Sequence, residues 1–126
     1  MQEPTFLILT ALAAQPLHGY GIVQSVVALS DGEVKLRPGT LYGALDRLTE
    51  QGLVEVDREE AVDGRLRRYY RLSAGGAGKL AAQVDRLRRN ASAAEAELRR
   101  RSAGDIVPGL PRAGRRTARK PLGGLA

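Results

Sequence analysis

The sequence predicts a mainly helical domain closed by a small two-stranded β-hairpin and followed by one long helix, 126 residues in all. Three observations predict it. Apolar side chains recur at helical spacing in three consecutive segments before Gly52. The period then changes to alternation on either side of an Asp63-Gly64 pair, a hairpin turn signal. From Ala77 onward apolar residues return every three or four positions, the pattern of a helix that pairs with another helix.

The first helix is expected from Pro4 to Ala14, with Pro4 suited to a first-turn position where a backbone donor would have no partner. Phe6, Leu7, Ile8, Leu9 and Leu12 make it apolar on more than one face, so it must be covered on more than one side. Pro16 and Gly19 mark a turn. A second helix follows over about Tyr20 to Leu29, carrying Ile22, Val23, Val26 and Val27 and ending at Ser30-Asp31-Gly32. The third opens at Pro38 and turns Leu41, Leu45 and Leu48 inward. Gly52 stands where a left-handed cap belongs, and the outer face shows Thr40, Tyr42, Gly43, Asp46, Arg47 and Glu50.

Strands are expected over Leu53 to Asp57 and Arg67 to Leu72. Three helices and then a two-stranded ribbon is the order of a winged helix-turn-helix, here residues 1–73. Ser73 is a good N-cap for the last helix, expected over 74–102. Its seam of Ala77, Leu80, Val84, Leu87, Ala91, Ala94 and Leu98 predicts a subunit contact, to which Phe6 and Ile8 of the first helix are added. Residues 103–126 are rich in Gly, Pro and Arg without apolar periodicity and are expected to be a disordered basic tail.

Composition narrows the function. With no Cys and one His there is no disulfide, no thiolate and little to bind a metal, so neither enzyme chemistry nor a cofactor is expected. The longest apolar run, Phe6 to Ala14, is about half a bilayer span and has no basic flank, which predicts a cytoplasmic chain without a membrane partner. The net charge of +6 is misleading by itself. Arg112, Arg115, Arg116, Arg119 and Lys120 supply +5 of it, leaving residues 1–105 at +1. DNA binding must therefore be argued from local placement.

Three strings stand in order: Leu17-His18-Gly19-Tyr20-Gly21-Ile22, Leu36-Arg37-Pro38-Gly39-Thr40-Leu41-Tyr42, and Gly64-Arg65-Leu66-Arg67-Arg68-Tyr69-Tyr70-Arg71-Leu72. Between the last two, residues 45–54 (LDRLTEQGLV) read as a helix running into a strand. Over about residues 4–90 the chain resembles the PadR family of bacterial transcriptional regulators, in its smaller form with a single C-terminal helix. The resemblance implies a homodimer on a palindromic double-stranded DNA operator, a repressor as a rule, often released by a small hydrophobic or aromatic effector. With no Trp in the chain, a pocket built on stacked indoles, as in some relatives, is excluded; an effector site would draw on Phe6 and the aliphatic residues of the first and last helices.

In a helix-turn-helix the N-terminal residues of the second helix of the motif lie nearest the base edges. Thr40, Tyr42 and Gly43 are then groove-facing, and Arg47 one turn on is placed for guanine or a phosphate. Lys35 and Arg37 precede a helix N-terminus, an anion-friendly end. Asp46 departs from the basic or neutral residue usual in such proteins; it is suited to accept from cytosine N4 or to tune specificity through neighbouring charges. Arg65, Arg67 and Arg68 follow the wing turn and are expected on phosphates or in the minor groove, though the acids of the outgoing strand could pair with them instead. His18, without a nucleophile or base partner, is read as structural or phosphate-facing. A second reading is a winged-helix protein–protein interaction module without specific DNA binding, which the near-neutral body allows.

Overall fold

Proline and glycine mark several element boundaries: Pro4 and Pro38 stand in the first turns of helices, and Gly32, Gly52 and Gly64 take positive φ in the turns between elements. The computed structural model describes residues 1–105. Its order is α1 (Glu3–Ala14), β1 (Leu17–His18), α2 (Gly19–Leu29), α3 (Pro38–Glu50), β2 (Val54–Val62), β3 (Arg65–Leu72) and α4 (Ala74–Asp105). Two bodies are distinguished, Met1–Arg86 and the segment from Leu87 onward, and each is described by itself.

In the first body α1 contributes Leu7, Ile8, Leu9 and Leu12 to a core completed by Ile22 and Val26 of α2, the inward leucines of α3, Val54 and Tyr70. Ile8 is fully buried there. Its expected place in a subunit contact is therefore corrected: a side chain consumed by its own core has no surface to offer a second chain. The α2–α3 link turns on Asp31 and Gly32, both at positive φ, and Ser30 Oγ stitches it by accepting from the Val34 amide at 2.9 Å. At the end of α3, Gly52 (φ 75°) lets the Leu53 amide reach the Leu48 carbonyl at 2.9 Å and its own amide reach Thr49 at 3.0 Å. That is the bond pair of a Schellman cap.

The sheet has three antiparallel strands in the order β1-β3-β2, one more than the expected hairpin. Leu17 and His18 pair with Tyr70 and Tyr69. A two-residue strand has too short an alternation to be seen in sequence, and the Pro16–Gly19 turn signals conceal it. Both wing strands also run longer than expected, since the polar stretch after Asp57 continues to pair as far as Val62↔Arg65. Asp63 and Gly64 are both left-handed, as a type I′ hairpin turn requires. A bulge lies between Val56 and Arg58.

Ser73 caps α4 as expected, accepting from the Gly76 amide at 2.9 Å while its hydroxyl donates to the Gly52 carbonyl at 2.7 Å. Gly76 is the contact that allows α4 to start there: a Cβ would meet the Leu53 carbonyl oxygen and, at 2.7 Å, the Leu72 side chain. Leu80 packs partly buried against the core. In the second body α4 continues to Asp105, three residues past its expected end, so the expected tail begins inside a helix; from residue 106 it lies outside the described residues. None of the described helices is long and apolar enough to cross a membrane.

Candidate nucleic-acid interface

Helix α3 divides its side chains sharply. Leu41, Ala44, Leu45 and Leu48 are buried on one side. On the other, Thr40, Tyr42, Asp46, Arg47 and Glu50 are exposed and Gly43 is half-buried. Pro38 opens the helix, with Lys35 and Arg37 exposed just ahead of it. The Arg47 guanidinium lies back toward the helix start, 3.6 Å from where a Cβ on Gly43 would be.

Tyr42 is both packed and available, with 47% of its surface exposed. Its ring lies across Gly19, the buried first residue of α2, where a Cβ would run into the hydroxyl and come within 2.9 Å of Cζ. Gly19 thus makes room for the Tyr42 ring, a contact that the turn expected at Pro16 and Gly19 did not foretell. The available signal was the His18-Gly19-Tyr20-Gly21 string, where two glycines near a helix start suggest close approach of something.

The wing is tied together by charge. Arg68 Nε donates to Glu59 at 2.9 Å, Arg71 to Glu55 at 3.0 Å and to Asp57 at 3.3 Å, and Arg58 to Glu60 at 2.9 Å and Asp57 at 2.8 Å. The hydrogen bonds from Arg58 hold the Asp57 and Glu60 carboxyls below their ordinary range. Glu59 raises the Arg68 guanidinium, and Asp57 followed by Glu55 raises that of Arg71. Arg68 is therefore engaged in the free protein, while among the described residues Arg65 and Arg67 have no carboxylate within 4.0 Å. Arg58 also lies 4.0 Å over the Tyr69 ring, and His18 meets the same ring edge-on at 5.3 Å. One residue from each strand thus forms a row joining the wing to the start of α2. His18 is kept below its usual pKa by burial and then by Arg67.

These elements border one cleft of about 770 Å³ between the starts of α2 and α3 and the wing. It brings together Tyr42, Arg65, Arg67 and Arg68 of the expected residues, adding His18, Gly19, Tyr20, Asp46 and Leu66. Lys35, Arg37, Thr40, Gly43 and Arg47 do not line it. Of the expected subunit-contact residues, Leu87, Ala91, Ala94 and Leu98 are exposed, and Phe6, Leu80 and Val84 are half-buried.

The sequence pattern of the transcriptional regulator PadR-like family matches residues 8–82, a stretch that holds all of α2, α3 and the wing. The chain belongs to the PadR-like family. A transcriptional regulator of Mycobacterium tuberculosis is 42% identical over 73 residues, 58% of this chain and 64% of that protein. An uncharacterised 37.1 kDa protein in a Streptomyces fradiae transposon is 44% identical over 73 residues, again 58% of this chain. The chain spans 64% and 20% of the length of these two relatives. Among solved structures, a PadR family regulator from Clostridium difficile aligns with TM-score 0.65 and 24% identity over 77% of this chain and 99% of that one. Bacillus subtilis PadR in complex with operator DNA aligns at 0.60 and 21% over 67% and 48%. These PadR-like folds share the arrangement of helices and wing seen here.

Proposed function

We propose that this PadR-like chain is a cytoplasmic, sequence-specific DNA-binding regulator that represses transcription as a dimer on a palindromic operator. The observation that carries the reading is the cleft in which Tyr42 and Asp46 of α3 stand beside the arginine-bearing wing. A helix with its polar face free can enter a major groove, and a wing beside it can follow the backbone into the neighbouring minor groove. The Bacillus subtilis relative solved with operator DNA supports the reading through its shared fold. Dimerisation is supported by Leu87, Ala91, Ala94 and Leu98, which stay exposed along α4 at alternating spacings of four and three. Release by a small hydrophobic or aromatic effector belongs to the same reading and would draw on Phe6 and the aliphatic side chains of α1 and α4.

Footprinting on the DNA upstream of the gene, at graded salt, tests this. Protection of two half-sites in adjacent major grooves, roughly 34–36 Å apart, is the expected result. Protection of one asymmetric half-site by a dimeric protein would overturn it. Leu87→Lys is expected to give a folded monomer by light scattering and circular dichroism with much weaker operator binding, because burying an unpaired charge in the helix contact is strongly disfavoured. A wild-type dimer after that change would move the subunit contact elsewhere. One observation favours a competing reading: the cleft holds Asp46, Glu59 and Asp63 as well as its three arginines, a balance suited to a protein–protein contact. No salt-sensitive binding to any duplex would decide for it.

A further inference from the structure

Asp46 lies on the outward midline of α3. The buried residues Leu41, Ala44, Leu45 and Leu48 define the inner side, and at 100° per residue the opposite line runs through Gly39, Gly43, Asp46 and Glu50. Neither glycine is there for packing. A Cβ on Gly39 would meet nothing within 4 Å, and one on Gly43 would meet only the tip of Arg47 at 3.6 Å. Glycine in a helix interior costs about 1 kcal/mol relative to alanine, and nothing within 4 Å of Gly39, and only the tip of Arg47 near Gly43, calls for the absence of a side chain. The bare turn at Gly39 lets the start of α3 approach a surface closely, Gly43 is flanked by the tip of Arg47, and Asp46 is the first side chain rooted on that line. It is exposed, and among the described residues no cation lies within 4.0 Å of its carboxylate, although Arg65, Arg67 and Arg68 line the same cleft.

A carboxylate held against a phosphate backbone repels it, so at a DNA surface Asp46 is tolerated only where it faces a donor. The major groove offers two, cytosine N4 and adenine N6. Adenine places the N7 acceptor beside its amine and so opposes a second carboxylate oxygen, whereas cytosine presents only its amine. We propose that Asp46 reads a cytosine in each half-site and rejects duplexes that lack one there, a selection made by repulsion as much as by attraction. This rests on the DNA-binding reading above. Glu50, the next acid on the line, lies one turn further from the bare helix start.

Selection of bound sequences from random duplex by the full-length protein, with Asp46→Asn and Asp46→Ala in parallel, tests the proposal. The wild type is expected to select a symmetric site with a C·G pair at one equivalent position in each half, favoured about tenfold over other pairs. Asparagine pairs bidentately with adenine, so Asp46→Asn should exchange that cytosine for adenine and leave every other position unchanged. Asp46→Ala should show no preference there and bind unrelated duplex several-fold more tightly. The site is exposed and both variants are expected to melt with the wild type. An unchanged preference at every position in all three proteins would overturn the proposal while leaving the regulator reading intact. A wild type that selects no sequence would fail that reading itself.

Discussion

Helix α3 and the wing border the same cleft but are built in opposite ways. The helix is anchored from behind by four buried residues, and its outward polar groups make no ion pair among the described residues. Beyond the bulge, the wing has no buried side chain on β2 and is held by its strand ladder, its turn and surface ion pairs. A core-anchored helix holds its geometry whatever meets its outer face, which suits base readout. On a hairpin tied by exposed charges, Arg68 must exchange a carboxylate for a phosphate while Arg65 and Arg67 have none to give up among the described residues, which suits salt-dependent affinity with little sequence content.

The largest expected effect breaks the helix side. Leu45 is fully buried, and Leu45→Ala should cost about 2–5 kcal/mol in denaturant unfolding. Glu59→Gln, which releases Arg68 on the wing, should leave the unfolding midpoint unmoved within error. A comparable loss from both would mean the wing is as much a part of the cooperative core as α3.

Next comes affinity. Tyr42→Ala should weaken operator binding by about 1–3 kcal/mol if the ring or hydroxyl meets a base, and unrelated duplex much less. Replacing Arg65 and Arg67 together should weaken both and lower the salt slope by about 0.9 for each phosphate no longer neutralised. Matching losses on both DNAs from the Tyr42 variant would place it on the backbone. The Glu59→Gln variant sharpens the contrast from the other direction: a freed Arg68 should raise affinity for all duplexes and steepen the salt slope. An unchanged slope would show that Arg68 already abandons Glu59 when DNA is bound.

The smallest effect concerns the row that joins the wing to α2. His18 has its pKa lowered in the folded chain, so below its ordinary value the unfolded chain takes up the proton first. The stability it contributes is complete above about pH 6.5 and is lost as the pH falls toward its folded value. Melting temperature should decline slightly over that window, and His18→Gln should remove the decline. The lowered Asp57 and Glu60 carboxyls act lower on the scale, since their contributions are lost only once pH falls below ordinary carboxylate values. An unchanged pH profile in the variant would mean that another group titrates there.

The helices, their caps and the hairpin turn were legible because each rests on local chemistry. Pro38 opens α3, Gly52 closes it, Asp63-Gly64 supplies two left-handed residues and Ser73 caps α4. The inward leucines of α3 were legible for the same reason, since a 3.6-residue period fixes which side is apolar. What sequence did not yield depends on contacts distant along the chain. The pairing of Leu17 and His18 with β3 spans more than fifty residues, and a two-residue strand carries no period of its own. Ile8 looked available for a partner because α1 is apolar on more than one face; only the packing of α2, α3 and the sheet shows that its side is already filled.

The same division holds at the site. Sequence by itself determined that a polar helix face and an arginine-rich hairpin exist, because residue type and period are local properties. Tertiary structure alone decided that Tyr42 rests on Gly19, that Arg68 is engaged by Glu59 while Arg65 and Arg67 make no ion pair among the described residues, and that Asp46 shares their cleft without pairing with them. Those are matters of angstroms between side chains far apart in sequence. A charge near its opposite is neutralised at about 3 Å and nearly indifferent at about 10 Å in salt.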